Sequence, residues 1–186
     1  MKKTIGILIS SILLAGCASL RSNSDEGGPI DPRVRAEQEG ELKKAELAFE
    51  KQNYNEAEDL FGEFQAKFPN SIFYQRAQFG RAKSLEALEH WSEAADLYRK
   101  TLEVTRARQP QIAAQALYHI SFCYENLGDE ARVLASLKDA LSMKEHLTPE
   151  QAQAEIPARM AASLNRMGQT KDAEQYFRQA SQGIQQ

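Results

Sequence analysis

The chain has 186 residues, of which 42% are hydrophobic, 26% charged and 8% aromatic, and its 23 basic and 26 acidic side chains give a net charge of −3. This balance argues against a strongly basic nucleic-acid-binding protein, because neutralising phosphates requires a concentrated surface of Lys and Arg. Two cysteines exclude a small fold held by several disulfides. Three scattered histidines, His90, His119 and His146, do not indicate a metal cluster. A soluble globular domain of modest size remains.

Residues 1–16 have the pattern of a secretory signal. Lys2 and Lys3 precede an apolar run over residues 5–14, which is much shorter than the roughly 20 residues that span a bilayer as a helix. The run ends in the sequence Leu14-Ala15-Gly16-Cys17. These four residues resemble the lipobox of bacterial lipoproteins at every position. An ordinary secretory signal followed by an accidental cysteine is the alternative interpretation.

The lipobox resemblance implies cleavage before Cys17 and acyl chains, including palmitate, on that residue. Two or more acyl chains hold a protein firmly at a membrane, whereas one chain holds it only marginally. Ala18 follows the cysteine, where an aspartate commonly signals retention in the inner membrane of Gram-negative bacteria. The resemblance therefore implies a lipid anchor in the outer membrane, with the protein facing the periplasm.

Residues 17–32 are predicted to be the lipidated cysteine and a flexible tether. The segment after Cys17 is rich in Ser, Gly, Pro and acidic side chains, and such a composition cannot bury enough apolar surface to order itself. As a flexible coil it spans about 20 Å on average. The folded part is expected to stay close to the membrane while remaining free to turn.

Residues 33–186 are predicted to fold as helices only. Ala, Leu, Glu, Lys, Gln and Arg dominate this segment, and the alternating pattern of strands is nearly absent. Pro69, Pro110, Pro149 and Pro157 fall at or near the joints between helical stretches, as expected of a residue that breaks helix interiors. The predicted fold class is all-α, with helices over residues 34–52, 54–67, 71–88, 91–107, 110–127, 129–144, 149–167 and 169–183.

The helices are predicted to form four repeats. A small residue recurs in the first helix at positions 45, 82, 121 and 161, and a small or branched residue recurs in the second at 57, 94, 133 and 173. Both series have spacings of 37, 39 and 40. Two markers that keep the same spacing indicate a repeated helix–turn–helix unit. The predicted repeats cover residues 38–71, 75–108, 114–147 and 154–186.

The order of residue types within a unit resembles the tetratricopeptide repeat. In the second unit these are Ala82, Leu85, Ala94 and Tyr98, and the segment 68–71 between the first two units resembles the turn between such repeats. The resemblance implies a right-handed α-solenoid of about four repeats. The units exceed the usual length of about 34 residues, so longer helices or loops are expected over residues 106–110 and 147–156.

Two local patterns concern the helix predicted over residues 149–167. Thr148 is expected to cap its start reciprocally with Gln151, and Pro149 then occupies the first helical position. Pro157 lies in the interior of the same helix, which predicts a kink or a break there.

No pattern of an enzyme active site is present. Nucleophile-elbow, phosphate-loop and dinucleotide motifs are all absent, and the sequence predicts no catalytic residue, cofactor or metal site. Cys123 is expected to be a small core residue rather than a reactive thiol, and His119 one turn earlier makes only a poor zinc site. Tyr54 and Trp91 occupy equivalent positions and are expected to fill the core between repeats.

A candidate binding groove lies on the concave surface, which the first helices of such repeats line. The positions that face inward in the family include Phe79, Lys83, Tyr118, Phe122 and Glu125. The three rings are expected to form an aromatic floor with Lys83 beside it. Aromatic anchors with a polar rim are typical of grooves that bind peptides or helices. The alternative is that these rings pack against the second helices.

The favoured function is a non-enzymatic adaptor, anchored by lipid, that binds partner proteins of the membrane or envelope. Residues 60–97 resemble two families in particular, the tetratricopeptide lipoprotein of the β-barrel assembly machinery and the Tol-Pal-associated division coordinator. The first alternative is a structural component of an envelope, pilus, secretion or gliding-motility complex. Such a component would self-associate through the open C-terminal face near Tyr176 and Phe177. A peptidoglycan-acting enzyme subunit is the second alternative and has no supporting motif.

Overall fold

A computed structural model describes residues 31–184, and all of its regular elements are helical. The predicted signal peptide 1–16, the lipobox and nearly all of the tether lie outside the described residues, as do the last two residues of the chain. Eight α-helices follow one another as four hairpins, which confirms the all-α class and the solenoid of helix–turn–helix repeats. Their bounds are α1 Pro32–Glu50, α2 Tyr54–Lys67, α3 Tyr74–Ala87, α4 Trp91–Thr105, α5 Pro110–Asn126, α6 Glu130–Ser142, α7 Ile156–Arg166 and α8 Thr170–Gly183.

The core is built between neighbouring hairpins rather than around one centre. The recurring small residues Ala45, Ala82, Ser121 and Ala161 are all fully buried, because each lets its helix approach the next one closely. Larger side chains fill the spaces between them in three successive apolar clusters. Each hairpin therefore buries its apolar side against the hairpins beside it, as in other repeat proteins.

Every hairpin turns in the same way. One residue after each first helix has a positive φ, and these residues are Gln52 (63°), Glu89 (62°), Gly128 (74°) and Gly168 (76°). In each turn the next backbone N–H donates back to a carbonyl five residues earlier, at 2.8 or 2.9 Å. This is the helix C-terminal motif in which a left-handed residue allows the last carbonyls to be satisfied. The four turn residues keep the spacings 37, 39 and 40, a third marker that the sequence analysis did not use.

Some helix ends differ from the prediction. The helix predicted from residue 71 begins at Tyr74, because the Ser71 hydroxyl accepts from the backbone N–H of Phe73 at 3.1 Å and donates to Gln38 Oε1 at 2.8 Å. That hydroxyl thereby holds the turn between α2 and α3 against α1. The extra repeat length lies where it was expected, in residues 106–109 and in the stretch from Met143 to Glu155.

The structure confirms the reciprocal cap predicted at Thr148, and it places a π-helical turn immediately before Pro157. The backbone N–H of Gln151 donates to Thr148 Oγ1 and that of Thr148 donates to Gln151 Oε1, each at 3.1 Å. Pro157 has no N–H to donate to the carbonyl of Gln153, and the chain forms a π-helical turn over Gln151–Glu155 before α7. Gly183 of α8 packs directly on the Gln153 carbonyl, where a Cβ would collide.

No helix within residues 31–184 combines the length and the apolar character that crossing a membrane requires.

Candidate functional site

Side chains of α1, α3, α5 and α7 meet one another across successive hairpins, and the surface they form is called the first-helix face here. Ion pairs and hydrogen bonds connect α1 to α3, α3 to α5, and α5 to α7 along it. The five predicted groove residues all lie on α3 or α5. The face therefore contains the predicted site, and its two halves have different structures.

The N-terminal half of the face contains an open pocket of about 520 Å³, called the α1–α3 pocket here. Its apolar wall is made of four aromatic rings, those of Phe49, Tyr54, Phe61 and Phe79. Phe49 and Tyr54 pack at 5.3 Å between ring centroids, and the Phe61 ring lies against Gly80 so closely that a Cβ there would collide with it. The missing side chain at Gly80 thus lets the Phe61 ring of α2 pack directly on α3 at the edge of the pocket.

The charged rim of this pocket consists of Glu46, Glu50, Arg76 and Lys83, and Lys83 is the cation that has no acidic partner within residues 31–184. Arg76 pairs with Glu46 at 2.7 Å, which neutralises both groups. Lys83 Nζ instead lies 4.5 Å from the centroid of the Phe49 ring. Within residues 31–184, no carboxylate lies within 4.0 Å of Lys83. Lys83 can therefore pair with an anionic group of a bound molecule next to the aromatic wall.

A buried polar cluster supports the far wall of the pocket. The Phe79 ring packs against Tyr98 at 5.4 Å and against His119 at 5.6 Å, and the Tyr98 and His119 rings stack on each other at 5.3 Å. The Tyr98 hydroxyl donates to Glu86 at 2.6 Å, and His119 Nδ1 lies 2.9 Å from the same carboxylate. Burial, reinforced by Glu86, raises the pKa of Tyr98 well above its ordinary value, so its hydroxyl stays protonated.

The C-terminal half of the face is closed by Arg159 of α7. The guanidinium lies 3.5 Å from the centroid of the Phe122 ring and donates to Glu125 and to Ser121, both at 2.6 Å. Tyr118 packs edge-on against Phe122 at 5.0 Å between centroids. Phe122 thus lies beneath a cation that its own chain supplies.

Tyr118 is part of the core rather than of an open floor. Only 9% of its surface is exposed, and its hydroxyl donates to Glu155 at 2.6 Å. Burial and the Glu155 carboxylate raise the pKa of Tyr118. Its ring belongs to the apolar cluster that α5, α6 and α7 share.

The structure thus divides the predicted groove residues into two sets. Phe79 and Lys83 line the open α1–α3 pocket, whereas Tyr118, Phe122 and Glu125 lie in the closed half. Tyr118 belongs to a cluster that includes residues of the second helix α6, as in the alternative interpretation, whereas Phe122 lies beneath Arg159 of α7, which is a first helix. The binding role of all five residues stays a prediction.

Sequence reasoning missed two residues that shape the face, His119 and Arg159. The sequence motifs indicate His119 only as a poor zinc ligand and give no sign of a role for Arg159. Their positions carried a signal, because residues 80, 119 and 159 follow the repeat spacings of 39 and 40. Each lies two residues before the buried small residue of its helix and therefore points towards the preceding hairpin.

Cys123 is a core residue, as predicted. It is fully buried and its thiol is free, and burial raises the pKa of that thiol to about 12. Tyr54 and Trp91, the first residues of α2 and α4, are both half-buried in equivalent places. In residues 31–184 no group of three or more His, Cys, Asp or Glu side chains is placed to hold a metal ion.

Comparison with known proteins supports the repeat assignment. The family model described as Tetratricopeptide repeat matches residues 39–71. A search of curated proteins found no match. Among solved structures, MamA (residues 41 to the end) from Desulfovibrio magneticus RS-1 is similar, with a TM-score of 0.66 and 14% identity, over 80% of this chain and 76% of that one.

Two further solved structures are similar over most of this chain. BtubC from P. vanneervenii has a TM-score of 0.71 and 15% identity, over 83% of this chain and 65% of that one. Aspartyl phosphate phosphatase F from Bacillus subtilis has a TM-score of 0.72 and 15% identity, over 84% of this chain and 42% of that one. At these identities the similarity concerns the fold alone, which is a helical solenoid of tetratricopeptide type.

Proposed function

We propose that the protein is a lipid-anchored, non-enzymatic adaptor. It binds partner proteins at the periplasmic face of the outer membrane of a Gram-negative bacterium, in outer-membrane protein assembly or another envelope machine. The observation that carries the proposal is the α1–α3 pocket, an open aromatic site with a cation that has no acidic partner in the part of the chain that the structure describes. Helical solenoids present such extended surfaces to partner proteins.

The chemistry of the pocket defines what a partner segment must offer. The rings of Phe49, Tyr54 and Phe79 suit an apolar or aromatic side chain. Lys83 suits a carboxylate placed next to it, since Arg76 and Glu46 already neutralise each other. The expected ligand is therefore a protein segment in which an apolar residue and an acidic residue are close together.

The proposed non-enzymatic role agrees with the contacts that the titratable groups of the first-helix face make. Glu86 holds Tyr98 and His119, and Glu125 holds Arg159 and Arg166. Each of these groups has a structural partner within the fold. They stabilise the wall of the pocket and the closed half rather than facing a bound substrate.

The anchor is supported by the sequence Leu14-Ala15-Gly16-Cys17 and by Ala18 after it. An acylated Cys17 would hold the repeats near the membrane, where membrane and envelope proteins are locally concentrated. Tethering of this kind raises the effective concentration of a binding site without any new contact.

The binding role is tested by reversing the charge of Lys83 in the full chain. Crosslinking in cells should recover a membrane-protein partner with the unaltered protein, and Lys83→Glu should reduce that recovery at least about tenfold, the effect of losing roughly 1.4 kcal/mol. Lys138→Glu on the exposed side of α6 is the matched control and should leave recovery unchanged. Equal recovery with both variants, at unchanged thermal stability, would contradict the proposed site.

The anchor is tested by metabolic labelling with palmitate. Cys17→Ala should abolish labelling, whereas Cys123→Ala, which alters the buried thiol, should preserve it. Ala18→Asp should move the labelled protein from the outer to the inner membrane fraction. If the unaltered protein is not labelled by palmitate, the proposed lipid anchor is contradicted. The proposed binding role of the α1–α3 pocket is not affected by that result.

A further inference from the structure

The outward side of α8 exposes a position that is buried in every other repeat. Phe61, Tyr98, Leu137 and Phe177 are equivalent, since each lies four residues after the small or branched marker of its second helix. The first three are 3%, 0% and 0% exposed, whereas Phe177 is 45% exposed. The Phe177 ring is therefore a large apolar group that nothing within residues 31–184 covers.

In the other repeats, the first helix of the next hairpin covers this position. The Phe61 ring lies against Gly80 of α3, Tyr98 stacks on His119 of α5, and Leu137 shares a cluster with Met160 of α7. The natural cover for Phe177 is therefore another helix of the first-helix type.

The helix α1 presents the complementary face at the other end of the stack. Leu47, Ser84, Cys123 and Ser163 are equivalent, each two residues after the buried small residue of its first helix. The last three are fully buried against the preceding hairpin, whereas Leu47 is 45% exposed. Among the described residues, α1 is thus the one first helix with no second helix packed on this side.

An ion pair shows how the two faces match in charge. Glu58 of α2 pairs with Arg81 of α3 at 2.6 Å and joins the first two hairpins. The equivalent of Glu58 on α8 is Glu174, and the equivalent of Arg81 on α1 is Lys44. Both residues are exposed, and Lys44 also makes an exposed pair with Glu41 of its own helix at 3.0 Å. Opposite charges therefore stand at equivalent places on the two uncovered faces.

We propose that a second copy of this chain covers α8, with α1 of one molecule packed on α8 of the next. Phe177 contacts Lys43 of the second copy, at the position equivalent to Gly80, and Glu174 pairs with Lys44 of that copy. The contact continues the internal repeat packing from one molecule into another. Because the two faces differ, the association is head-to-tail and extends into a filament unless its rotation closes a ring. The α1–α3 pocket takes no part in it.

The test is concentration-dependent self-association of the full chain in detergent, measured by sedimentation velocity. Phe177→Asp should weaken association at least about tenfold, since it places a charge where a ring is expected to be covered. Glu174→Lys and Lys44→Glu should each weaken it about fivefold, through loss of an attraction and gain of a repulsion. The double variant Glu174→Lys/Lys44→Glu should restore association, because the charges are then exchanged between the faces.

Three results would overturn the proposal. The first is a monomer at every concentration, which would leave the α8 face to another protein. The second is a double charge exchange that does not recover association. The third is weakening by Glu174→Lys but not by Lys44→Glu, which would indicate contact between two α8 helices. Lys138→Glu is the control for a charge change elsewhere, and Lys83→Glu should associate normally, so that this proposal and the pocket proposal fail separately.

Discussion

The two halves of the first-helix face differ at equivalent positions, which border an open pocket in the N-terminal half and are covered in the C-terminal half. In the N-terminal half, α1 and α3 leave an open pocket of about 520 Å³ with Lys83 at its rim. In the C-terminal half, Arg159 covers Phe122 at 3.5 Å from the ring centroid and pairs with Glu125, so the space is filled. One repeated backbone thus carries an open site and a closed one.

The size of one recurring side chain accounts for much of this difference. The equivalent residues are Gly80, His119 and Arg159, which follow the repeat spacing. Gly80 leaves room for the Phe61 ring and a pocket beside it, His119 fills its place by stacking on Tyr98, and Arg159 reaches across to α5. A solenoid can therefore open or close part of its binding face by substitutions at one position, without changing its helices.

The largest expected effect comes from adding a methyl group at Gly80. Gly80→Ala forces the Phe61 ring to move within a packed interface and should lower the free energy of unfolding by about 2 kcal/mol. Gly40→Ala is the matched control, because its Cβ meets nothing within 4 Å, and helix propensity should raise stability by up to about 1 kcal/mol. Urea unfolding of both variants measures the difference. Two equally stable variants would mean that the Phe61 ring does not need the space that Gly80 leaves.

Opening the closed half is expected to cost somewhat less. Arg159→Met removes the bonds to Glu125 and Ser121 and the stacking on Phe122, and should lower the free energy of unfolding by about 1.5 kcal/mol. Arg99→Met, at an exposed pair with Asp96, should change it by less than about 0.5 kcal/mol. If chemical denaturation finds the two variants alike, Arg159 is not what closes this half.

The hairpin turns of the two halves also differ. The N-terminal hairpins place Gln52 and Glu89 at positive φ, whereas the C-terminal hairpins place Gly128 and Gly168 there. Relief of left-handed strain predicts that Gln52→Gly raises the free energy of unfolding by about 1 kcal/mol and that Gly128→Ala lowers it by a similar amount. Thermal melting measures both, and a destabilising Gln52→Gly would refute the strain argument.

The smallest expected effect is a dependence on acidity at the pair of Glu130 with Arg166. The hydrogen bond from Arg166 lowers the pKa of the Glu130 carboxyl in the folded protein. The unfolded chain then binds a proton at higher pH than the folded one, so stability falls as pH drops below about 5. Urea midpoints at pH 7 and pH 4 should differ less in Glu130→Gln than in the unaltered protein. An unchanged difference would show that this pair does not couple folding to acidity.

The fold followed from patterns that are visible along the sequence. Spacings of 37, 39 and 40 identified the repeats, the Thr148–Gln151 pattern identified a helix start, and Pro157 indicated an irregular stretch, which is the π-helical turn before α7. Each of these signals acts within a few residues or repeats along the chain. They are therefore readable without knowing which helices pack together.

The site was harder to predict because its contacts join different repeats. Arg159 meets Glu125 across 34 residues and His119 meets Glu86 across 33, and no local pattern pairs such residues. The Phe122 ring is covered because the side chain of Arg159, on another helix, is long enough to reach it. The sequence also did not predict the positive φ at Gln52 and Glu89. Both residues keep the repeat spacing of Gly128 and Gly168. A positive φ is usually predicted from a glycine, and these two positions hold polar side chains instead.

Burial of Cys123 between successive hairpins has a consequence for the redox behaviour of the protein. A thiol with a pKa of about 12 is almost entirely un-ionised at neutral pH, and thiolates are the species that attack disulfides and react with peroxides. With Cys123 enclosed and free, no disulfide joins the repeats within residues 31–184, and none has to form there during maturation. The folded repeats should therefore be equally stable in reducing and in oxidising surroundings.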